Sequence, residues 1–325
     1  MEQRIIAAAK RIGSAVNPTP LLEFSELNER ASGRVLLKPE NLQRTGSFKI
    51  RGAYNAIACL SEEERRNGIL AFSSGNHAQG VALAARSFGV ASTIVMPEDA
   101  PETKMSAVKR LGAEVITYDR YTENREAITQ ALADERGCPV IPSYDYLDVI
   151  AGQGTIGLEV LSDPLLADGP PDQMLVCCGG GGLVAGISVA IHASVPDVRM
   201  YAVEPSVADD TARSIAAGER LANDPQTRSV CDAILTPTPG ALTFPINMKH
   251  LSGVLTVSDE EALYAVGYAM RRLHLVVEPG GAVALAAAMF GKLPTENKTT
   301  VLVLSGGNLS DEMRKKALAF FDRSE

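Results

Sequence analysis

Lys49 lies between Phe48 and Ile50 in the segment TGSFKIRGA, next to two large apolar side chains. Lysine is among the residues least often fully buried, because stripping water from an ammonium group costs free energy unless the charge is paired. In an apolar setting the lysine pKa falls, and the neutral amine can attack a carbonyl carbon or act as a base. The segment therefore predicts a reactive amine at Lys49.

Four consecutive glycines occupy residues 179–182 in the segment CCGGGGLVAG, between a predicted strand and a predicted helix. The backbone N–H groups of such a turn can close around an anion, and the helix N-terminus adds a favourable dipole. The segment lacks the GxxxxGK(S/T) pattern of a nucleotide triphosphate loop. It does contain G-x-G-x-x-A through Gly180, Gly182 and Ala185, with Glu204 at the end of the next strand. We predict a phosphate site, and a dinucleotide-binding loop is the alternative.

Two further turns follow predicted strands. The segment FSSGNHAQG offers the hydroxyls of Ser73 and Ser74, the amide of Asn76 and free N–H groups at a helix start, a set that fits a carboxylate. Ordinary helix capping is the alternative for this turn, and a lone histidine such as His77 is more often structural than catalytic. In the third turn, LSGGN, Ser305 could present one hydroxyl to a ligand.

Alternating strand and helix patterns position these turns. The predicted strands are RVLLKPE, GILAFSS, ASTIVMP, AEVITYD, QMLVCC, RMYAVEP and TVLVLS, and helix-period segments such as HAQGVALAARSFG lie between most of them. This alternation predicts βαβ units and a doubly wound α/β fold of mostly parallel sheets. We expect a large domain from residues 1–62 and 146–325, and a small domain from residues 63–145 that contributes the carboxylate loop.

Composition restricts the possible partners. The 325-residue chain has a net charge of −8 and a pI near 5.2, which argues against nucleic acid or an anionic membrane as the main partner. No apolar run approaches the ~20 residues that span a bilayer, and the N-terminal segment MEQRIIAAAKRIG lacks the apolar core of a signal peptide. Five cysteines without a CxxC pair indicate reduced thiols. We expect a soluble, cytoplasmic protein that acts on a small molecule.

A phosphate cradle, a carboxylate cradle and a desolvated lysine are together what an amino-acid enzyme using pyridoxal 5′-phosphate requires. The segments SFKIRGA, SSGNHAQG, IAGQGTIGLEV, GGGGLVAGI and SGGN, in this order, resemble fold-type II pyridoxal-phosphate enzymes, whose fold is that of the tryptophan synthase β subunit. More narrowly, with NPTPLL near the start, they resemble the branch of serine/threonine dehydratases, serine racemases and 3-hydroxyaspartate dehydratases. The resemblance covers nearly the whole chain.

The resemblance implies a role for each matching residue. Lys49 would hold the cofactor covalently and act as the catalytic base, with Phe48 beside the ring. The other cofactor contacts would be Asn76 to the phenolic oxygen, Gly179, Gly180, Gly181 and Gly182 to the phosphate, and Ser305 to the pyridine nitrogen. The substrate carboxylate would meet Ser73, Ser74, Gly75 and His77. Ser74 also matches the residue that reprotonates Cα in racemases.

Two features bear on substrate and metal. In metal-requiring members of this branch a motif like VEPSVADD binds a divalent cation, here through Glu204, the carbonyl of Ala208 and Asp210, and such oxygen ligands suit Mg²⁺, Mn²⁺ or Ca²⁺. A solvated, helix-capping acidic loop is the alternative. Arg125 in TENREAI aligns with an arginine near the substrate mouth of relatives and would meet a distal carboxylate, with a solvated helix arginine as the alternative.

The function implied is dehydration of a small β-hydroxy amino acid: serine, threonine or 3-hydroxyaspartate. Water is eliminated to give an enamine or imine, which becomes a 2-oxo acid and ammonia, so we expect a catabolic lyase. Serine racemase is the nearest alternative, followed by a β-replacement enzyme like the cysteine synthases. A dinucleotide-dependent oxidoreductase or a non-catalytic cofactor carrier are alternatives of other classes. We expect a homodimer, from the resemblance alone.

Overall fold

The computed structural model describes residues 1–325 and contains nine strands and fourteen α-helices. The strands are β1 (Leu22–Glu23), β2 (Arg34–Lys38), β3 (Ile69–Phe72), β4 (Ser92–Pro97), β5 (Glu114–Tyr118), β6 (Gln173–Cys177), β7 (Arg199–Pro205), β8 (Gly253–Val257) and β9 (Thr299–Val303). The helices are α1 (Glu2–Ile12), α2 (Ser25–Ala31), α3 (Lys49–Cys59), α4 (Glu62–Arg66), α5 (Asn76–Ser87), α6 (Glu102–Arg110), α7 (Arg125–Arg136), α8 (Leu147–Leu161), α9 (Gly182–Ser194), α10 (Asp210–Ala217), α11 (Thr243–His250), α12 (Asp259–Arg272), α13 (Pro279–Met289) and α14 (Asp311–Ser324).

The larger sheet has six strands in the order β1-β2-β9-β6-β7-β8, and only β1 runs antiparallel to its neighbour. Every residue of β6 is buried, as expected for a parallel strand covered by helices on both faces. Because β6 and β9 are parallel neighbours, the glycine turn after β6 and the SGGN turn after β9 lie at the same edge of the sheet.

The smaller sheet consists of β3, β4 and β5, all parallel, and lies within the 63–145 range predicted for a small domain. Each sheet has its own apolar core: 48 buried residues around the larger sheet and 21 around the smaller one and α3. The FSSGN turn, which we expect to bind a carboxylate, follows β3 and so belongs to the smaller sheet, while the glycine turn belongs to the larger one.

The predicted α/β fold is confirmed, and all seven predicted strands are present. The sequence patterns missed β1, which has only two residues, and β8, whose GVLTV segment is half-buried at the sheet edge and lacks a continuous apolar run. All five cysteines are free thiols. No helix is both long and apolar enough to cross a membrane.

A buried ion-pair network supports the start of α3. The Arg51 guanidinium donates to the Glu40 carboxylate at 2.8 Å, and both side chains are inaccessible to solvent. Arg51 also donates to Glu159 of α8 at 2.6 Å, and Lys38 of β2 donates to the same carboxylate at 2.6 Å. The network ties β2, α3 and α8 together two residues after Lys49.

Candidate active site

A cleft of about 460 Å³ lies between the two sheets, where the turns after β3, β6 and β9 face each other. Of the predicted cofactor and substrate residues, those on its wall are Phe48, Lys49, Ser73, Ser74, Gly75, Asn76, His77, Arg125, Gly179, Gly180, Gly182 and Ser305. Gly181 is the one member of this set behind the wall. A larger open concavity of about 540 Å³ lies at the opposite edge of the larger sheet, near Gln173 and Arg199, and contains none of them.

Lys49 is the first residue of α3 and its side chain enters the cleft. Its Nζ donates to the carbonyl oxygen of Ser143 at 2.9 Å and lies 5.1 Å from the centre of the Phe48 ring. Burial lowers the pKa of Lys49 to about 8, because desolvation disfavours the ammonium form. A neutral amine is therefore available near physiological pH, as the apolar context predicted.

The glycine turn is built to receive an anion. None of the N–H groups of residues 179–182 donates to an acceptor of the chain, and the turn leads directly into the N-terminus of α9. Gly181 has φ +87°, a left-handed conformation that favours glycine. A Cβ on Gly180 would lie 2.2 Å from the Tyr144 ring, so only glycine fits there. Free amides at a helix start suit a phosphate.

Ser305 is buried at the end of β9 and contacts a thiol that the sequence patterns did not indicate as functional. The Cys177 Sγ donates to the Ser305 Oγ at 3.1 Å. The serine hydroxyl can therefore still donate its own hydrogen to a ligand, or accept one further hydrogen bond through the second lone pair of its oxygen. Burial raises the pKa of Cys177 to about 11, which keeps this thiol protonated as the donor. Both residues line the cleft.

The turn after β3 leaves the amides at the start of α5 without chain acceptors, as a carboxylate site needs. Ser73 Oγ accepts from the N–H of Gly75 at 3.2 Å, which shapes the turn without capping the helix, so the capping alternative is wrong. His77 is buried, and its Nε2 lies 2.8 Å from the Ile141 carbonyl oxygen. Burial, with a smaller contribution from nearby Lys49, lowers the His77 pKa to about 3, so this imidazole is neutral.

Asn76 is held by two side chains that sequence reasoning missed. Its Nδ2 donates to Glu278 Oε1 at 2.5 Å, and its Oδ1 accepts from Asn308 Nδ2 at 2.6 Å. Burial raises the pKa of Glu278 to about 7. Glu278, Asn308 and Tyr144 all line the cleft. The available signals were weak: a single acid before PGGAVALAAAM, and a tyrosine in an irregular segment.

Arg125 is the first residue of α7 and lies exposed at the cleft wall. Its guanidinium carbon is 5.1 Å from the centre of the Phe72 ring, and it forms no ion pair with an acidic side chain. A cation over an aromatic face keeps its N–H donors available for an incoming anion. The structure thus brings this arginine to the cleft that holds Lys49.

Glu204 and Asp210 lie outside the cleft and are buried, so the acidic loop is not solvated, although Glu204 does cap the start of α10 as the alternative reading expected. The two Glu204 oxygens accept the N–H groups of Thr211 and Ala212 at 3.1 Å each. Asp210 Oδ1 accepts from Asn223 at 2.6 Å, while its Oδ2 is buried without a partner. Burial raises the pKa values to about 8 for Glu204 and about 6 for Asp210.

An unpartnered buried carboxylate oxygen beside a second buried carboxylate fits a bound cation, which would neutralise both. Ala208, which would contribute its carbonyl, is also buried. No three His, Cys, Asp or Glu side chains form a metal cluster, and the expected set contains only two such side chains. Since the Glu204 carboxylate is bonded to the α10 amides, it does not face the cleft as a ribose-binding acid would.

An α/β fold with a buried lysine of lowered pKa between two turns of free amides is the arrangement expected for enzymes that bind a phosphorylated aldehyde cofactor. The chain belongs to the family of pyridoxal-phosphate dependent enzymes, whose model matches residues 12–306. It is 42% identical to an L-threo-3-hydroxyaspartate ammonia-lyase of Pseudomonas sp over 308 residues, 95% of each chain. It is 39% identical to a serine racemase of Schizosaccharomyces pombe over 308 residues, 95% of this chain and 94% of that one.

Among solved structures, a threonine deaminase from T.th. matches with a TM-score of 0.89 and 42% identity, covering 95% of this chain and 98% of that one. The resemblance to this branch and the fold-type II architecture are therefore confirmed. Family membership removes the dinucleotide-dependent oxidoreductase from consideration. The glycine turn and the amine of Lys49 fit the phosphate and the aldehyde of the family's cofactor.

Proposed function

We propose that this protein is a pyridoxal-phosphate dependent dehydratase, an ammonia-lyase of small β-hydroxy amino acids. The observation that carries the proposal is the convergence of a neutral Lys49 amine with the free amides of two turns in one cleft. Relatives of similar identity that act on 3-hydroxyaspartate, serine and threonine support this substrate class.

The residues of the larger sheet would hold the cofactor. Lys49 would bind its aldehyde carbon, and the amides of residues 179–182 its phosphate, with the α9 dipole adding stabilisation. The Ser305 hydroxyl would meet the ring nitrogen, Phe48 would lie beside the ring, and Asn76 would donate to the phenolic oxygen with the hydrogen that Glu278 leaves free. When bound, pyridoxal phosphate supplies an electron sink for negative charge that develops at Cα.

The small domain, which we assign to residues 63–145, would bind the substrate carboxylate. Its amides at the start of α5, with Ser73, Ser74 and Gly75, form a donor set for a planar anion. His77 shapes this loop as a neutral group, since its Nε2–H is used by Ile141. A carboxylate bound here places the substrate Cα in the same cleft as Lys49.

Lys49 would then remove the Cα proton as a neutral base, because burial lowers its pKa to about 8 and makes the unprotonated amine accessible near that pH. The β-hydroxyl leaves with a proton as water, and the released enamine tautomerises and takes up water to give a 2-oxo acid and ammonia. Ser74, on the cleft wall opposite the large domain, would protonate Cα in the racemase alternative. The serine racemase among the relatives keeps this second function open.

Arg125 favours a substrate with a distal carboxylate. Its guanidinium lies at the cleft wall with no acidic partner, so an anionic side chain would give it a charge-assisted partner. We therefore place 3-hydroxyaspartate first among the three substrates. A divalent cation, Mg²⁺ above all, would bind Glu204, the Ala208 carbonyl and Asp210, where the unpartnered Asp210 Oδ2 supplies an oxygen ligand.

The decisive experiment is 2-oxo acid release from L-serine, L-threonine and the four stereoisomers of 3-hydroxyaspartate, each with Mg²⁺ and with EDTA. We expect turnover that Lys49→Ala abolishes, without loss of secondary structure, and that EDTA weakens. If the wild type releases no 2-oxo acid, or the variant stays active, the dehydratase proposal is wrong. Conversion of L-serine to D-serine without 2-oxo acid would instead establish the racemase.

A further inference from the structure

In the glycine turn, the carbonyl groups form hydrogen bonds with the rest of the chain and the N–H groups do not. The Gly180 carbonyl accepts from Thr243 Oγ1 at 2.6 Å and from the N–H of Gly240 at 3.3 Å. The Gly181 carbonyl accepts the N–H of Ala185 at 2.9 Å, the first backbone bond of α9, and a longer contact from Asn247 Nδ2 at 3.4 Å. No N–H group of residues 179–182 has a chain acceptor. The turn therefore has its acceptors satisfied and its donors free.

The two side chains that satisfy these carbonyls come from one face of α11. Thr243 and Asn247 are four residues apart, so they lie one above the other along the helix. Both are inaccessible to solvent, and neither lines the cleft. Asp145 fixes the start of α11 by accepting the N–H groups of Ala241 and Leu242 at 2.8 and 2.7 Å. Helix α11 thus places the side chains of Thr243 and Asn247 against the side of the glycine turn that carries its carbonyl groups.

Peptide geometry converts these contacts into an orientation of the donors. In a planar trans peptide the C=O of one residue and the N–H of the next point in opposite directions. A Gly180 carbonyl held by Thr243 therefore turns the Gly181 N–H away from Thr243 and α11. The Gly181 carbonyl is held by the Ala185 N–H, with Asn247 as a second and longer donor, and its direction determines that of the Gly182 N–H. Glycine peptides otherwise rotate freely, and the Gly180 carbonyl has no donor shorter than Thr243, so this side chain is the main determinant of its direction.

We propose that Thr243 and Asn247 are positioning residues of the phosphate site, which set its N–H donors without touching the ligand. The proposal rests on the phosphate contacts assigned above to residues 179–182 and is independent of the amino-acid substrate. It makes α11 a part of the cofactor site, although no residue of this helix matched a motif in the sequence.

The test compares two ligands that differ only in the phosphate: pyridoxal 5′-phosphate and pyridoxal. The full chain, freed of cofactor, is titrated with each and binding is followed by visible absorbance. We expect Thr243→Val, which keeps the shape and removes the donor, to weaken pyridoxal-phosphate binding about tenfold and pyridoxal binding less than about twofold. Thr243→Ser, which keeps the hydroxyl donor, should have the wild-type ratio of pyridoxal-phosphate affinity to pyridoxal affinity. Asn247→Ala should reduce the preference for pyridoxal 5′-phosphate over pyridoxal less, because its contact is longer and the Ala185 N–H also holds the Gly181 carbonyl.

Thr295→Val is the matched control, since its hydroxyl also donates to a backbone carbonyl, that of Ala31 at 2.7 Å, far from the cleft. The ³¹P resonance of the bound cofactor should shift in Thr243→Val and Asn247→Ala, and stay unchanged in the control. If Thr243→Val and Asn247→Ala weaken the binding of both ligands equally, or leave the ratio of the two affinities unchanged, α11 only supports the fold. Because no amino acid is used, this result is independent of whether the dehydratase proposal holds.

Discussion

The side-chain amide of Asn76 donates to the carboxyl group of Glu278 at 2.5 Å, across the gap between the two sheets. Asn76 begins α5 beside the smaller sheet, and Glu278 precedes α13 beside the larger one. The contact therefore joins the turn after β3 to the wall of the cleft formed by the larger sheet. It also fixes the orientation of an amide that we assign to the cofactor's phenolic oxygen.

Glu278 should make the stability of the cofactor-free chain depend on pH. Its folded pKa of about 7 lies above the ordinary glutamate value, so its stabilising contribution is complete below about pH 4.5 and is lost as the pH rises through 7. Glu278→Gln keeps an oxygen that accepts from Asn76, but its side chain does not ionise, so the variant should not lose stability as the pH rises. We expect the variant to gain up to about 3 kcal/mol over wild type between pH 5 and pH 8, measured by urea denaturation.

The exposed glutamate Glu63 provides the control for this measurement, since Glu63→Gln should leave the difference between pH 5 and pH 8 unchanged. A stability difference between Glu278→Gln and wild type that does not vary with pH would contradict the prediction.

Local patterns predicted the parts of the site that are contiguous in sequence. Lys49 and the glycines 179–182 could be proposed from sequence because a strand, a turn and a helix start leave a recognisable pattern over about ten residues, and the structure brings the two segments to one cleft. Glu278 was not found, because its partner Asn76 is 202 residues away and a single buried acid has no local pattern. The role of α11 was hidden for the same reason, since it depends on tertiary contacts to backbone carbonyls.

The pKa of Lys49 should be visible in the rate at which the cofactor-free chain takes up pyridoxal phosphate. Only the neutral amine reacts, and burial lowers the pKa of Lys49 to about 8. We expect the uptake rate to rise with pH below 8 and to level off above it, followed by stopped-flow absorbance. A simple alkylamine, with a pKa near ~10.4, is the reference. A rate that continues to rise to pH 10 would mean that the amine is solvated.

Arg51 should be one of the residues on which stability depends most. Its replacement by methionine leaves the Glu40 carboxylate buried without its cation, and breaking such a pair costs about 3–5 kcal/mol. We expect a loss of that size in urea denaturation. Adding Glu40→Gln should recover part of it, because the uncompensated charge is removed. A single-variant loss below about 1 kcal/mol would contradict a tightly paired network.

Arg125→Gln should separate dicarboxylic from monocarboxylic substrates. If the guanidinium binds a distal carboxylate, kcat/KM for 3-hydroxyaspartate should fall about 10- to 100-fold, while that for serine or threonine changes little. Arg110→Gln is the matched control, since Arg110 is exposed in the preceding helix α6 and does not line the cleft. An equal loss for all substrates would assign Arg125 to the architecture of the cleft and leave serine and threonine as the better candidates.

Asp210 should couple Mg²⁺ to stability. Its buried, unpartnered Oδ2 is costly without a cation, and a ligand that binds only the folded chain adds about 2.7 kcal/mol at a hundredfold excess over its Kd. We expect Mg²⁺ to raise the thermal midpoint of the wild type, EDTA to lower it, and Asp210→Asn to abolish both responses. The neighbouring Asp209 is paired with Arg213 at 2.8 Å, so Asp209→Asn should keep them. If wild type and Asp210→Asn respond alike, the cation binds elsewhere in the chain and the proposed site at Glu204 and Asp210 is wrong.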